Sequence, residues 1–191
     1  MGTYPSQLNH DGVSPAGAVN PDGSLLSSLP GQKLSACTCP GSDHPGPDVS
    51  RGRGAPEIDL LEAQVDTRVR QGQVSQSYQT APYNANYQFV NSTPATQIYN
   101  DQITTFNSYK GGPFQQAVSA VSFVDNANYN GLGYQSYGIE WWSDRNHRDQ
   151  GYITWFQGQD PMWTMTAAAV GPDPLTQVDQ RPISEEPMVR N

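Results

Sequence analysis

Two adjacent leucines, Leu60 and Leu61, interrupt a regular alternation of acidic and apolar residues, and this irregularity constrains the chain more than any other feature. From Glu57 to Leu60 the pattern has a period of two. Glu57 and Asp59 fall on one side and Ile58 and Leu60 on the other, as in a strand with one buried face. After the doublet the phase inverts, so that Glu62, Gln64 and Asp66 become the polar set and Leu61, Ala63 and Val65 the apolar one. One inserted residue accounts for this. A β-bulge at the doublet sets two residues opposite one, returning Glu62 to the face of Glu57 and Asp59 above a continuous apolar underside.

A helix is the competing reading of the same stretch. Ile58, Leu61, Val65 and Val69 fall near a 3.6 period, and Pro56 suits a first helical turn. In a helix, Glu57 and Glu62 would stand about 140° apart around the axis, leaving only Asp59 and Glu62 as neighbours.

The surroundings favour strand. The 191 residues include 18 Gly, 16 Pro and 10 Tyr with a hydrophobic fraction of 35%, a composition of short strands joined by many turns. Further strands are expected near 72–79, 87–91, 95–100, 115–124 and 135–142. A hairpin is expected from Gly151–Phe156 and Met162–Thr166 around a loop at 157–161. The expected architecture is all-β, a jelly-roll sandwich, in one domain spanning 1–191, with residues 1–35 as an extended arm and sandwich strands over 36–191.

A formal net charge of −8 argues against nucleic acid as the partner, because phosphate contacts need clustered Lys and Arg. A neutral or cationic ligand fits better. The longest small or apolar run, Ala167 to Val170, falls far short of the roughly 20 residues of a membrane-spanning helix. The start, Met1-Gly-Thr-Tyr-Pro5, lacks the basic and apolar regions of a signal peptide.

Three carboxylates on one face suit glycosidic chemistry. Cleavage needs an acid at the leaving oxygen, and retention of configuration needs a nucleophile at the anomeric carbon, with the two carboxyl groups ~5–5.5 Å apart. Asp59, between Glu57 and Glu62, would couple to their titration and help separate acid from nucleophile. A bare E-x-D-x-x-E pattern also fits the solvated face of an amphipathic strand or helix.

Longer segments narrow the choice. Leu34-Ser-Ala-Cys-Thr-Cys-Pro-Gly41, Asp43-His-Pro-Gly-Pro47 and Ala55-Pro-Glu-Ile-Asp-Leu-Leu-Glu-Ala-Gln64 resemble the fungal β-glucan-synthesis-associated proteins of the Kre/Skn type, grouped with glycoside hydrolase family 16. Tyr137-Gly-Ile-Glu-Trp141, Gly151-Tyr-Ile-Thr-Trp-Phe156, Ala169-Val-Gly-Pro172 and Glu185-Glu-Pro-Met188 follow in the same order. The resemblance implies a concanavalin-like sandwich that binds β-1,6- and β-1,3-glucan for cell-wall assembly. It implies Glu57 as nucleophile, Glu62 as general acid/base and Asp59 as the assisting carboxylate, with no cofactor and no metal.

It also implies a location on the luminal or extracellular face of the secretory pathway or plasma membrane, and full-length relatives with a membrane anchor and further strands that this chain lacks. On that ground a truncated, inactive fragment is one expectation, and a non-catalytic glucan-binding or assembly module is another. Family 16 enzymes often carry Trp-Pro-x-x-Gly before the first Glu, where this chain has Arg51-Gly-Arg-Gly-Ala-Pro56. That departure bears on the sugar subsites.

Gln64, Trp141, Trp142 and Trp155 are candidates for binding the sugar, the tryptophans by stacking on its apolar C–H faces. Trp141 and Trp142 are adjacent and point to opposite faces of a strand, so one of the two is the better candidate. Cys37 and Cys39 are the only cysteines. Their spacing matches no recurrent zinc pattern, and a disulfide in a secretory compartment is expected. A bridge across one intervening residue is strained, so pairing with each other or with a cysteine outside the chain both stay open. Asn91-Ser-Thr93 is a glycosylation sequon followed by Pro94, and Asp144 to Asp149 reads as a solvated loop around His147.

Overall fold

A computed structural model describes residues 56–80, 87–112, 115–129, 131, 133–144, 146–147, 149–171, 183 and 189–190. The arm expected over 1–35, together with Cys37 and Cys39, lies outside them. Among the described residues ten strands run in order: β1 Glu57–Asp66, β2 Gln71–Thr80, β3 Thr96–Ile98, β4 Thr104–Phe106, β5 Gly111–Gly112, β6 Gln115–Phe123, β7 Tyr137–Trp142, β8 Tyr152–Gln157, β9 Asp160–Thr166 and β10 Val189–Arg190. They form a six-stranded sheet, β10-β1-β2-β6-β4 with β5 also on β6, and a four-stranded sheet, β3-β9-β8-β7. All pairings are antiparallel except β1 with β10. The protein is an all-β, jelly-roll-like sandwich.

Alternation decides which side chains enter the interior. From the six-stranded sheet come Ile58, Tyr78, Val118 and Ala120, and from the four-stranded sheet Ile153, Trp155, Trp163 and Met165, all buried in one core. Trp155 and Trp163 stand opposite each other across β8 and β9 and stack at 4.2 Å with an interplanar angle of 3°. Phe106 of β4 meets Trp163 edge-on at 6.0 Å, tying one sheet to the other.

Turn chemistry sets the registers. Asp66 Oδ1 accepts the backbone N–H groups of Arg68 at 2.9 Å and Val69 at 3.3 Å, closing the loop between β1 and β2 as an Asx-type turn. The hairpin of β8 and β9 is tighter than the 157–161 loop expected from the sequence. Gln157 pairs with Asp160, leaving only Gly158 and Gln159 to turn, and Gly158 takes the positive φ of 68° that a two-residue hairpin loop needs. Residues 87–90 form no strand; Val90 N–H instead donates to the Ala169 carbonyl at 2.8 Å. The short strands β4 and β5 fall in Thr-Thr-Phe and Gly-Gly runs too brief for a periodic signal.

The apolar underside expected beneath the whole of β1 holds only for its first half. Ile58 is buried, but Ala63 is exposed and Val65 is 65% exposed. Val65 stands opposite Gly72, which offers no side chain to pack against. A matched pair of truncations tests this division. Ile58→Ala should cost about 2–5 kcal/mol, and Val65→Ala should stay within about 0.5 kcal/mol of the parent, both read from denaturant unfolding.

Candidate functional site

The register of β1 on β2 answers the question posed by the leucine doublet. Glu57 pairs with Gln79 and Asp59 with Ser77, after which the register shifts and Glu62 pairs with Ser75. Leu60 and Leu61 therefore share one opposing residue, Gln76. Because Ser75, Ser77 and Gln79 alternate along β2, they lie on one face, and their partners Glu62, Asp59 and Glu57 lie there too. That face points away from the core, since Ile58 and Tyr78 occupy the other.

Gln64 continues the row and donates from Nε2 to Gln73 Oε1 at 3.2 Å. β6 extends the face with Ala117, Ser119 and Val121, opposite Gln79, Ser77 and Ser75. The small hydroxyls and amides of β2 and β6 are functional candidates that the sequence reading passes over. A signal for them exists in Gln73, Ser75, Ser77 and Gln79, four polar residues at period two.

The three carboxylates occupy different environments. Glu62 is exposed, Glu57 is half-buried and Asp59 is 3% exposed. Burial pushes the Asp59 carboxyl up from an ordinary 3.8 to about 6, and the charges of Glu62 and Glu57 and a hydrogen bond with Glu57 act in the same direction. The amide of Gln79 opposes them by donating to Asp59 Oδ2.

The tryptophans divide between surfaces. Trp155 is fully buried, with its ring against Trp163 and its indole N–H donating to the Asp59 carbonyl at 2.9 Å, so no face of it is open to a sugar. Trp141 is 44% exposed, shares the inward side of Ile153, and donates its indole N–H to the Ile183 carbonyl at 2.9 Å. Trp142 is 39% exposed on the outer face of the four-stranded sheet, stacked on Tyr152 at 5.6 Å. Tyr152 in turn donates its phenol to Glu140 at 2.9 Å, which pushes that phenol above its usual range. The sandwich therefore stands between Trp142 and the carboxylates.

A hollow lies elsewhere. A cavity of about 750 Å³ lies at the far end of β2, bounded by Val69, Gln71, Phe123, Gly158, Asp160 and Met162, and contains none of the three carboxylates. Among the described residues no group of three His, Cys, Asp or Glu side chains could hold a metal ion, and no helix is long and apolar enough to cross a membrane. Asn91 of the sequon is half-buried and its Oδ1 accepts from Thr96 at 3.3 Å. His147 pairs with Asp144 at 2.8 Å in an exposed loop, and this hydrogen bond holds the Asp144 carboxyl below its ordinary range.

Residues 1–190 match the family model of the β-glucan synthesis-associated proteins SKN1/KRE6/Sbg1. The chain belongs to the SKN1/KRE6/Sbg1 family. It is 47% identical over 185 residues to the β-glucan synthesis-associated protein KRE6 of Saccharomyces cerevisiae, covering 93% of this chain and 24% of that protein. It is 45% identical to SKN1 of the same yeast, covering 93% of this chain and 22% of that protein. It is 42% identical to KRE6 of Candida albicans, again over 93% of this chain, and 24% of that relative. This member of the SKN1/KRE6/Sbg1 family thus spans about a quarter of the length of the curated relatives it matches. No solved structure gives a significant match.

The raised Asp59 carboxyl makes a prediction about stability. Below pH 3.8 the group is protonated whether the chain is folded or not. Between about 4 and 6 the unfolded chain has lost this proton while the folded one keeps it, so stability falls as pH rises through that window, and above it the loss is complete. At about 1.4 kcal/mol per pH unit, the fall amounts to a few kcal/mol. Asp59→Asn should abolish it, leaving the variant more stable than the parent at pH 7 and similar to it near pH 4, as read from urea unfolding at stepped pH.

Proposed function

We propose that this chain acts on β-glucan in cell-wall assembly, through a retaining glycosyl hydrolysis or transfer carried by Glu57, Asp59 and Glu62. The observation behind this reading is the two-against-one register, which puts all three carboxylates on one outward face of the six-stranded sheet. The names of the yeast and Candida relatives supply the substrate class, β-glucan. The ancestry proposed is that of glycoside hydrolase family 16, and the compartment is the luminal or extracellular side of the secretory pathway.

Four positions of β2, from Gln79 to Ser75, separate the partners of Glu57 and Glu62. At ~3.3 Å per residue that is roughly 13 Å of backbone. Two Glu side chains leaning toward each other across Asp59 shorten this toward the ~5–5.5 Å of a retaining pair. In the first step the Glu57 oxygen bonds to the anomeric carbon as the glycosidic bond breaks, and Glu62 gives its proton to the leaving oxygen. In the second, Glu62 takes a proton from water or an acceptor hydroxyl, whose oxygen displaces Glu57.

Asp59 serves both steps by holding a proton between its neighbours. While it is protonated, Glu57 can carry charge without an ionised group beside it, and a hydrogen bond links the two carboxyls. Once Glu57 is esterified its charge is gone, and ionisation of Asp59 becomes easier. Ser75, Ser77 and Ser119 are buried beneath this face, and Gln64 and Gln73 extend the polar row to one side.

Binding without turnover is a second reading, favoured by Trp142. Its ring stacks on Tyr152 on the opposite outer face, where it could hold a glucan chain away from the carboxylates. The two readings separate on purified protein. For the catalytic reading, Glu57→Gln and Glu62→Gln should each slow cleavage or transfer of β-1,3- or β-1,6-glucan by about 10²–10⁴-fold, with an unchanged melting temperature. Glucan binding by calorimetry that is lost in Trp142→Ala and retained in Glu62→Gln, with no product formed by the parent, would select the binding module instead.

A further inference from the structure

The bulge that gathers the carboxylates is gripped from inside the core. Two residues opposite one leave backbone groups of the bulged strand without partners in the ladder, and buried carbonyls need donors. Here the donors are side chains. Gln76, the single residue opposite Leu60 and Leu61, is fully buried and donates its amide N–H to the Leu60 carbonyl at 3.1 Å. The same nitrogen lies 3.5 Å from the Phe156 carbonyl, at the point where β8 and β9 have a register shift of their own. Trp155, one residue earlier on β8, donates its indole N–H to the Asp59 carbonyl at 2.9 Å. Two successive carbonyls of β1 are therefore held, one from within its own sheet and one from the facing sheet.

We propose that Gln76 and Trp155 are positioning residues that fix the Asp59–Leu60 backbone, and with it the register that brings Glu62 onto the face of Glu57 and Asp59. Neither side chain is on the carboxylate face, so both act through the backbone they hold. The proposal rests on the reading of these three carboxylates as the reacting groups, though the grip itself does not.

Gln76 is poorly chosen for stability alone. Its Oε1 is buried without a hydrogen-bond partner, and a buried amide satisfied at one end only is costlier than an apolar side chain of the same length. Trp155 and Trp163 make a useful contrast, because they share one ring stack but differ in what their N–H groups do. The Trp163 indole N–H, also buried, has no hydrogen-bond partner. Loss of either ring weakens the core, whereas only Trp155 is bonded to the bulge.

The test compares Gln76→Met, Trp155→Phe and Trp163→Phe in the full chain. Each is followed by thermal melting, by NMR titration of the Asp59 carboxyl carbon, and by kcat and KM on β-glucan. All three should still melt cooperatively, Trp155→Phe and Trp163→Phe below the parent temperature. The Asp59 midpoint should fall by at least one pH unit in Gln76→Met and Trp155→Phe, as the loosened bulge admits water, and should stay within 0.3 of the parent, roughly the precision of one pH step, in Trp163→Phe. In an active parent, kcat should fall at least about tenfold in the first two with KM changed less than about twofold.

Should the parent show no turnover while the midpoint moves only in those two variants, the grip stands and the catalytic reading falls. An unmoved midpoint and kcat in cooperatively melting Gln76→Met and Trp155→Phe would overturn the grip and leave the catalytic reading intact. The unmodified protein gives an independent check that needs no variant to fold. The Trp155 indole proton should exchange with solvent only at the rate of global unfolding, and exchange as fast as that of an exposed indole would overturn the proposal.

Discussion

A single antiparallel pairing, β1 on β2, sets the terms for everything else in this sandwich. It joins β1, flanked on its other side by the short β10, to the interior of the six-stranded sheet and carries the doublet that changes the strand's phase. It also divides the residues of β1 between a face that carries the acids and one that carries Ile58. The hydrophobic effect supplies most of the energy for the pairing through Ile58, Val74 and Tyr78 beneath it. Burial alone does not specify which residues oppose which. That choice falls to polar groups, the Asx turn at Asp66 on one end and the amide and indole donors beneath the bulge.

The outward face shows what this arrangement does to charge. Three carboxylates share one row, and the middle one, Asp59, is held above its ordinary range. This shift comes mostly from burial, with the charges of Glu62 and Glu57 adding less. It also makes the site a destabilising element near neutral pH, as is common where function and folding compete for the same residues.

Much of this is legible in the sequence, for a physical reason. The bulge can be read from Glu57 to Asp66 because a period-two pattern inverts its phase when one residue is inserted, and the structure bears out both the strand and the common face of the three acids. The interior role of Trp155 is not legible. Alternation along Gly151 to Phe156 gives two sets, either of which is a plausible core, and only the facing sheet decides between them. Gln76 escapes notice because a polar residue between two serines reads as part of a hydrophilic strand. Its burial depends on a bond to a carbonyl that no local pattern announces. The overhang at Val65 is hidden in the same way, since it reflects which neighbour β2 offers, a glycine, rather than anything in β1 itself.

The two-against-one count at Leu60 and Leu61 has a consequence for how such a strand can change over time. Substituting either leucine alters packing and leaves the arithmetic of faces untouched. Losing one codon there would instead heal the pairing into an unbroken ladder, turning every residue from Glu62 onward through half a revolution relative to Glu57 and Asp59. The resulting strand would be more regular and would keep its composition almost unaltered. Yet the acid trio would be split across the two sides of the sheet. In this part of the fold, an insertion or deletion is therefore a sharper instrument than a point mutation, and the irregular version of the strand is the one that keeps the three acids together.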